Sequence, residues 1–308
     1  MPLICAVIFA YFTKSCNMMI ILLRHIIVMN IRYLPAIIIL VLCSSKTVFA
    51  SCPDITDLKM TESFGVKICA MPDVDQMYLE HAKNVMNGLI DYNDDGMVDN
   101  QPAIDKVIST GSVFAVFRNS RGERKFADVF WPEEVYDEFM PIFDAQGWDC
   151  ERGDEDKCMH AVESKYGTFL AVFTNEMNLS GSGWDPTIEE GLHLITHMGY
   201  AQAYPDIFGQ NKDSHIAKLM DIARGGYFEK AKRKYPHGAY YTYDDRSCTY
   251  SCQVTEFTYW AITSLRGQQK GRAREIRGEW KLTDPEKMQD TAPDLVELLS
   301  NKKYGIYY

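Results

Sequence analysis

The residues best suited to chemistry lie in one stretch, residues 185–200, where His193 and His197 stand four positions apart. Residues four apart on a helix share one face, with about 5 to 6 Å between their Cβ atoms. Two imidazoles so placed can bind one metal ion and are typical of the helical half of a zinc site. Glu190 lies one turn before His193, so a carboxylate is available as ligand, base or supporting partner. The stretch therefore predicts a metal site containing Glu190, His193 and His197.

The pattern Glu190-x-x-His193-x-x-x-His197 resembles part of the zincin metallopeptidase signature. In the HExxH signature the glutamate directly follows the first histidine, whereas Leu194 stands there in this chain. The resemblance covers about twenty residues of helix and implies a zincin-like fold and a metal more firmly than it implies peptidase activity. Ala203 stands where a metzincin would have its third histidine, so a gluzincin-like arrangement, with a glutamate from a later helix, fits better.

A zinc site needs a third protein ligand that fixes the ion and leaves one position open for water. Our choice is Glu256, because it lies in a predominantly apolar helix, where burial of an unpaired carboxylate would be costly without a cation. Asp221 and His215 are alternatives that require the chain to fold back. The structural alternative is that Glu256 pairs with Arg224 or Arg266.

An assembled centre of this kind would carry out metal-assisted hydrolysis. Zn²⁺ would lower the pKa of its water from about 16 to about 7 and polarise a substrate carbonyl. Glu190 is our candidate for the general base, Glu189 is the second candidate, and Tyr240 or Tyr241 could donate to an oxyanion. The sequence thus predicts a secreted zinc-dependent hydrolase whose substrate is a peptide or another carbonyl compound.

A structural interpretation of the same stretch stays open. Asp185 and Pro186 suit the N-cap and first position of a helix, and Thr187 has the capping-box spacing to Glu190. The two histidines could then be buried residues that hydrogen-bond within the core. We favour the metal because two carboxylates accompany two histidines at metal-binding spacing.

Residues 91–100 form a second motif, DYNDDGMVDN, whose beginning follows the calcium-loop pattern and resembles EF-hand and dockerin-type loops. The candidate Ca²⁺ ligands are the side chains of Asp91, Asn93, Asp95 and Asp99 and the carbonyl of Met97. In the predicted loop, residues 91–102, Pro102 replaces the final bidentate glutamate, so calcium would be held more weakly. The alternative is a turn without metal. A secreted calcium-binding structural or binding protein, with a non-catalytic zincin-like site, is accordingly the second functional hypothesis.

The first fifty residues contain no acidic residue, and their apolar runs are short for a bilayer span. If translation begins at Met29, then Arg32 belongs to a basic n-region and Val48-Phe49-Ala50 is a cleavage site. We therefore expect a signal peptide over residues 1–50 and one secreted domain over residues 51–308, either extracellular or periplasmic. A membrane anchor or an amino-terminal helical hairpin is the alternative.

Six cysteines remain after residue 50, and they fall into three local pairs. The expected disulfides are Cys52 with Cys69, Cys150 with Cys158, and Cys248 with Cys252, although other connectivities are formally possible. Such pairs are typical of exported proteins. A cysteine-rich metal site is less favoured, because the usual Cys-x-x-Cys spacing is absent.

The charge balance argues against several partners. The chain has 42 acidic and 32 basic residues, and the predicted leader carries some of the basic ones but none of the acidic ones. An acidic surface repels phosphate backbones and attracts cations, so we do not expect a nucleic-acid partner. No stable membrane span is expected once the leader has been removed.

The elements that must position these residues are mainly helices. Apart from the histidine helix, helical spacing is found over residues 77–90, 103–108, 132–145, 214–223, 255–265 and 294–299. Residues 112–117 and 168–173 are short apolar runs with Val and Phe, which predict strands. The sequence therefore predicts an α+β fold, a mainly helical zincin-like domain with a small β-sheet and three disulfides.

Overall fold

A computed structural model of the chain describes residues 51–181 and 183–306. These residues adopt an α+β fold in which helices predominate over a small sheet, as the sequence predicts. The predicted signal peptide, residues 1–50, lies outside the described residues. None of the helices in the described part of the chain is both long and apolar enough to cross a membrane.

The strands of the described residues form one sheet in the order β1-β2-β3-β4. Their bounds are β1 Lys59–Ser63, β2 Val66–Ala70, β3 Val113–Phe117 and β4 Phe169–Phe173. β1 pairs antiparallel with β2, whereas β2, β3 and β4 are parallel, with Val113 opposite Phe169. Every residue of β3 is buried, as expected for an apolar strand in the middle of a sheet. β3 and β4 confirm the two predicted strands.

Short helices surround this sheet. They are α1 Gln76–Ile90, α2 Gln101–Thr110, α3 Ser120–Phe130, α4 Glu133–Gln146, α5 Glu155–Tyr166, α6 Pro186–Leu194, α7 Ala201–Ala203, α8 Pro205–Phe208, α9 His215–Arg224, α10 Tyr250–Leu265, α11 Pro285–Thr291 and α12 Pro293–Leu299. A π-helix, Ile195–Tyr200, connects α6 to α7. The predicted helices are all present, whereas β1, β2, α3, α5, α7, α8 and α11 were not predicted.

The main core lies between the sheet and the helices around it. α1 and α2 pack against β1 and β2, α6 packs against β4, and α10 packs against α6. This packing brings the start of the histidine helix close to a helix that begins much later in the chain. The contact between α6 and α10 is the one that assembles the candidate site.

A second, smaller core belongs to α4 and α5, which together with their connecting loop form residues 133–166 and are called the small lobe below. Its buried residues are Val135, Phe139, Phe143, Cys158 and Val162. The lobe joins the rest of the chain at Trp131 and Gly167, where the indole Nε1 donates to the Gly167 carbonyl at 3.2 Å. A side chain at residue 167 would meet the Thr110 carbonyl at 2.6 Å, and φ is +72° there, so the junction requires glycine.

The predicted disulfides are confirmed as three local links. The Cα atoms are 5.7 Å apart in Cys52–Cys69, 5.8 Å in Cys150–Cys158 and 5.4 Å in Cys248–Cys252. The first fastens the start of the described chain to β2, the second lies in the small lobe, and the third holds the start of α10. Structural disulfides are consistent with a protein that leaves the reducing cytosol.

Candidate metal centre

Helix α6 begins as the sequence predicts, with Asp185 as N-cap and Pro186 at the first position. One Asp185 oxygen accepts from the Thr187 amide at 3.0 Å, and the other lies 2.7 Å from His81 Nε2. The Thr187 hydroxyl is buried without a hydrogen-bond partner in the described residues. Asp185 therefore caps the helix in place of the alternative Thr187–Glu190 capping box, and His81 anchors the cap to α1.

Three side chains converge where α6 packs against α10. Glu189 and His193 come from α6, and Glu256 comes from α10. Ligand atoms of Glu189, His193 and Glu256 all lie within 4.8 Å of one another. His193 Nε2 is 3.5 Å from Glu256 Oε2, and His193 Nδ1 is 3.7 Å from Glu190 Oε2. His193 is only 7% exposed, and its Nε2 has no hydrogen-bond partner among the described residues. A buried nitrogen left in this state is costly, and a cation shared with the carboxylates would satisfy it.

The surroundings of His193 fix its imidazole. The Tyr259 ring meets it edge-on, with centroids 5.6 Å apart and planes at 76°. His193 and Glu256 both lie on helices with an N-cap. Asp185 caps α6, and Thr249 caps α10, where its hydroxyl accepts from the Cys252 amide at 3.4 Å. A metal centre needs ligands that rigid elements hold in place, and these two capped helices meet that need.

The two arginines that were alternative partners of Glu256, and the alternative ligand Asp221, bind other groups. Arg224 Nη2 lies 2.6 Å from Asp221 Oδ1, and its Nη1 donates to Gln253. Arg266 donates to the Ile306 carbonyl at 2.9 Å. His215, the other alternative ligand, is the first residue of α9, and its side chain is exposed. Neither arginine is ion-paired with Glu256, so the carboxylate has His193 as its charged neighbour.

The charges of Glu189, His193 and Glu256 favour the binding of protons or of a cation at this site. Burial raises the pKa of Glu189 to about 7, an effect that His193 opposes and Glu256 increases, while Trp184 Nε1 donates to this carboxylate at 3.0 Å. Burial lowers the pKa of His193, but Glu256 and Glu190 outweigh it and raise this pKa well above its ordinary value. The cation-free site thus retains protons that a metal ion would displace.

His197 is held apart from this group. Its Nδ1 lies 2.7 Å from Gln210 Oε1, and its Nε2 lies 2.7 Å from Glu163 Oε2. His197 lies in the π-helix Ile195–Tyr200, which has more residues per turn than an α-helix, so His197 does not follow His193 at ordinary α-helical spacing. The two predicted histidine ligands therefore face different carboxylates.

Both histidines line one cleft of about 840 Å³. Glu163, Gln210 and Glu256 also line it, and its walls include the beginning of α5 and the beginning of α10. This volume is in the range of sites that bind small molecules or a few residues of a peptide. The candidate centre is therefore accessible from a cavity large enough for a substrate.

Two tyrosines predicted as oxyanion donors lie near α10. The Tyr241 hydroxyl donates to the Gln253 carbonyl at 2.9 Å, and burial raises the pKa of Tyr240 to about 12. The sequence did not single out Tyr243, whose pKa is raised by its burial and by the charge of Glu256. Tyr243 therefore interacts with the centre through Glu256, as Tyr259 does through His193.

The predicted calcium loop folds around its own amides. Asp91 accepts from the amides of Asp95 and Gly96 at 3.0 and 2.8 Å, and Asp95 accepts from the Met97 amide at 2.9 Å. Asp99 accepts from the Tyr92 amide at 2.7 Å, and Asn93 accepts from the Asp95 amide at 3.0 Å. Gly96 has φ +83°, as the sharp turn requires. The loop thus turns all four predicted ligand side chains toward its own backbone amides.

Comparison of the chain with protein-family models, with curated proteins and with solved structures gave no match. The function is therefore argued from the geometry of the site.

Proposed function

We propose that this protein is a secreted metal-dependent hydrolase whose divalent cation is bound by His193 and Glu256, beside the carboxylate of Glu189. The observation that carries the proposal is the buried His193 Nε2, which has no hydrogen-bond partner in the described residues and lies 3.5 Å from Glu256 Oε2. An imidazole and a carboxylate are ligands that suit Zn²⁺, the cation we expect. The adjoining cleft would admit a peptide or another carbonyl compound.

The residues of the site would divide the work as follows. When bound, the cation lowers the pKa of a coordinated water to about 7 and polarises a carbonyl. Glu190 lies on the Nδ1 side of His193, 3.7 Å away, and would orient the imidazole so that Nε2 faces Glu256. Glu189, whose carboxylate lies beside both residues, would accept the proton of the coordinated water and return it.

The test is hydrolysis of a mixed peptide and ester library by the purified protein. We expect activity that disappears after treatment with a chelator, returns with zinc and is absent from a His193→Ala variant. The matched control is His160→Ala, because His160 is an exposed histidine that lines the same cleft. Activity that survives in chelator, or in the His193→Ala variant, would refute the proposal.

Glu189 and Glu190 need a separate comparison. Glu189→Gln should lower the turnover number strongly even when zinc is saturating, because a neutral amide cannot accept the proton. Glu190→Gln should weaken zinc binding and leave the turnover number of the zinc-loaded protein close to that of the parent. The reverse pattern would return the proton-accepting role to Glu190, the residue that the sequence favours.

A calcium-binding structural or binding protein is the second candidate. The observation in its favour is the loop of residues 91–99, in which several oxygen-bearing side chains surround a short turn with left-handed residues at Asp94 and Gly96. A protein of this kind would gain stability from calcium and would show no zinc-dependent hydrolysis.

A further inference from the structure

A second histidine–carboxylate pair lies in the same cleft. Glu163 is 6% exposed, whereas the other charged residues of α5 are half-buried or exposed. Its Oε2 lies 2.7 Å from His197 Nε2. Burial of a carboxylate costs free energy unless a positive partner or a cation compensates. His197 is that partner in the cation-free chain.

The hydrogen bonds beyond His197 determine which ring nitrogen faces Glu163. The Thr255 hydroxyl donates to the Ser251 carbonyl at 3.2 Å, so its oxygen accepts from Gln210 Nε2. Gln210 then presents Oε1 to His197 and accepts from Nδ1–H at 2.7 Å. This is the arrangement by which proteins orient a metal-binding imidazole, with one nitrogen donating to a neighbour and the other facing the ion. His197 Nε2 is therefore oriented as a ligand.

We propose that the cleft binds a second divalent cation between His197 Nε2 and Glu163, beside the cation proposed at His193 and Glu256. The inference rests on the proposed function, since it extends the same site. Each histidine has its own carboxylate, at 3.5 Å for His193 and 2.7 Å for His197. Glu163 and His197 lie outside the group of Glu189, His193 and Glu256, so an ion between them would be separate from the first.

The change in geometry that a second ion needs is small. Ligands about 2 Å from a tetrahedral zinc lie about 3.3 Å from each other, so the 2.7 Å contact between His197 and Glu163 must widen by about half an ångström. Glu163 belongs to the small lobe, which packs on a core of its own, so a small shift of the lobe leaves the main core intact. Two metal ions in one cleft would stabilise both the attacking and the leaving oxygen of a displacement, and both histidine–carboxylate pairs line this cleft.

The experiment is equilibrium dialysis of the purified, chelator-stripped protein against buffered submicromolar zinc, with the bound metal measured by mass spectrometry. We expect two zinc equivalents for the wild-type protein and one for both Glu163→Gln and His197→Gln. The matched control is Glu155→Gln, which should keep two equivalents. Glu155 also lies on α5 and lines the cleft, but it faces Lys230 at 3.8 Å.

Wild-type protein that binds one equivalent overturns the second site without reference to any variant, so a variant that fails to fold does not obscure the result. A Glu163→Gln variant that keeps two equivalents overturns it as well. If one equivalent binds, is lost in His193→Gln and supports hydrolysis, only the second site fails. If wild-type protein binds no zinc, both the second site and the proposed function fail.

Discussion

His193 Nε2 lies 3.5 Å from Glu256 Oε2, and the contact joins α6 to α10. Arg224, a basic alternative proposed from the sequence, is instead paired with Asp221 at 2.6 Å. Glu256 thus faces a buried imidazole, and the second carboxylate of the group, Glu189, adds negative charge. His193 and Glu256 are residue types that bind cations. When no cation is bound, the stability of the protein must therefore depend on the protonation of these side chains.

The metal-free protein should lose stability as pH rises through neutrality. Because the pKa of Glu189 is raised from 4.5 to about 7, the folded chain keeps a proton that the unfolded chain has already released, so the free energy of unfolding falls between these pH values. The loss should be about 3 kcal/mol at most. The raised pKa values of His193 and His197 add losses of the same sign at higher pH.

Urea unfolding in chelator between about pH 5 and about pH 8 measures this dependence. Glu189→Gln should flatten it, because the amide stays neutral and can still accept from Trp184. A parent protein whose stability rises over this interval would show that Glu189 is not held in its protonated form.

Gly191→Ala should disturb the centre without altering any of its ligands. A Cβ at this position of α6 would lie 2.6 Å from Leu89 Cδ1 and 3.0 Å from Met86 Sδ. Overpacking of this kind costs about 1 to 3 kcal/mol and would push α6 away from α1, so zinc affinity should fall together with thermal stability.

Gly88→Ala is the matched control, because Gly88 is on the partner helix α1 and a Cβ there meets nothing within 4 Å. It should stabilise the protein by about 0.5 to 1 kcal/mol through helix propensity and leave zinc binding unchanged. Equal effects of the two substitutions would mean that the packing of α6 on α1 does not position the centre.

The sequence predicts what depends on local chemistry. Asp185 and Pro186 mark the start of α6, since an N-cap acceptor and a residue without an amide proton act within their own turn. The disulfides could be predicted for the same reason, because each joins cysteines close in sequence. Glu256 was predicted because a carboxylate in an apolar helix needs a partner.

Other parts of the site depend on contacts that no local pattern shows. The π-helix that sets His197 apart packs against α2, where a Cβ on Gly199 would be 3.0 Å from the Ala103 carbonyl. Glu163 stands in α5 between ordinary charged and polar residues, and only the fold brings it to His197. Gln210 is likewise placed by a loop between α8 and α9. Tertiary packing decided these positions.

Loss of the Cys150–Cys158 disulfide should loosen the small lobe before the rest of the protein. The link closes a short loop, so its removal should lower stability by about 2 to 3 kcal/mol. Because the lobe has its own core, hydrogen exchange of a Cys150→Ala/Cys158→Ala variant should rise in residues 133–166 and stay slow in β3. A uniform rise over both regions would contradict this independence.

Calcium should stabilise the protein if the loop of residues 91–99 binds it. At a calcium concentration about ten times the dissociation constant, the gain should be about 1.4 kcal/mol, visible as a higher melting temperature. Asp95→Asn should remove the gain. Asp105→Asn, an exposed substitution outside the loop that faces Gln101, should keep it. A melting temperature that calcium leaves unchanged would indicate that the loop is a turn held by its own hydrogen bonds.

The central claim is that His193 and Glu256 share a cation, and anomalous diffraction at the zinc edge from crystals of the zinc-loaded protein tests it most directly. We expect a peak within about 2.2 Å of both His193 Nε2 and a carboxylate oxygen of Glu256. Zinc peaks found only elsewhere, with this nitrogen and this carboxylate left unbound, would contradict the claim.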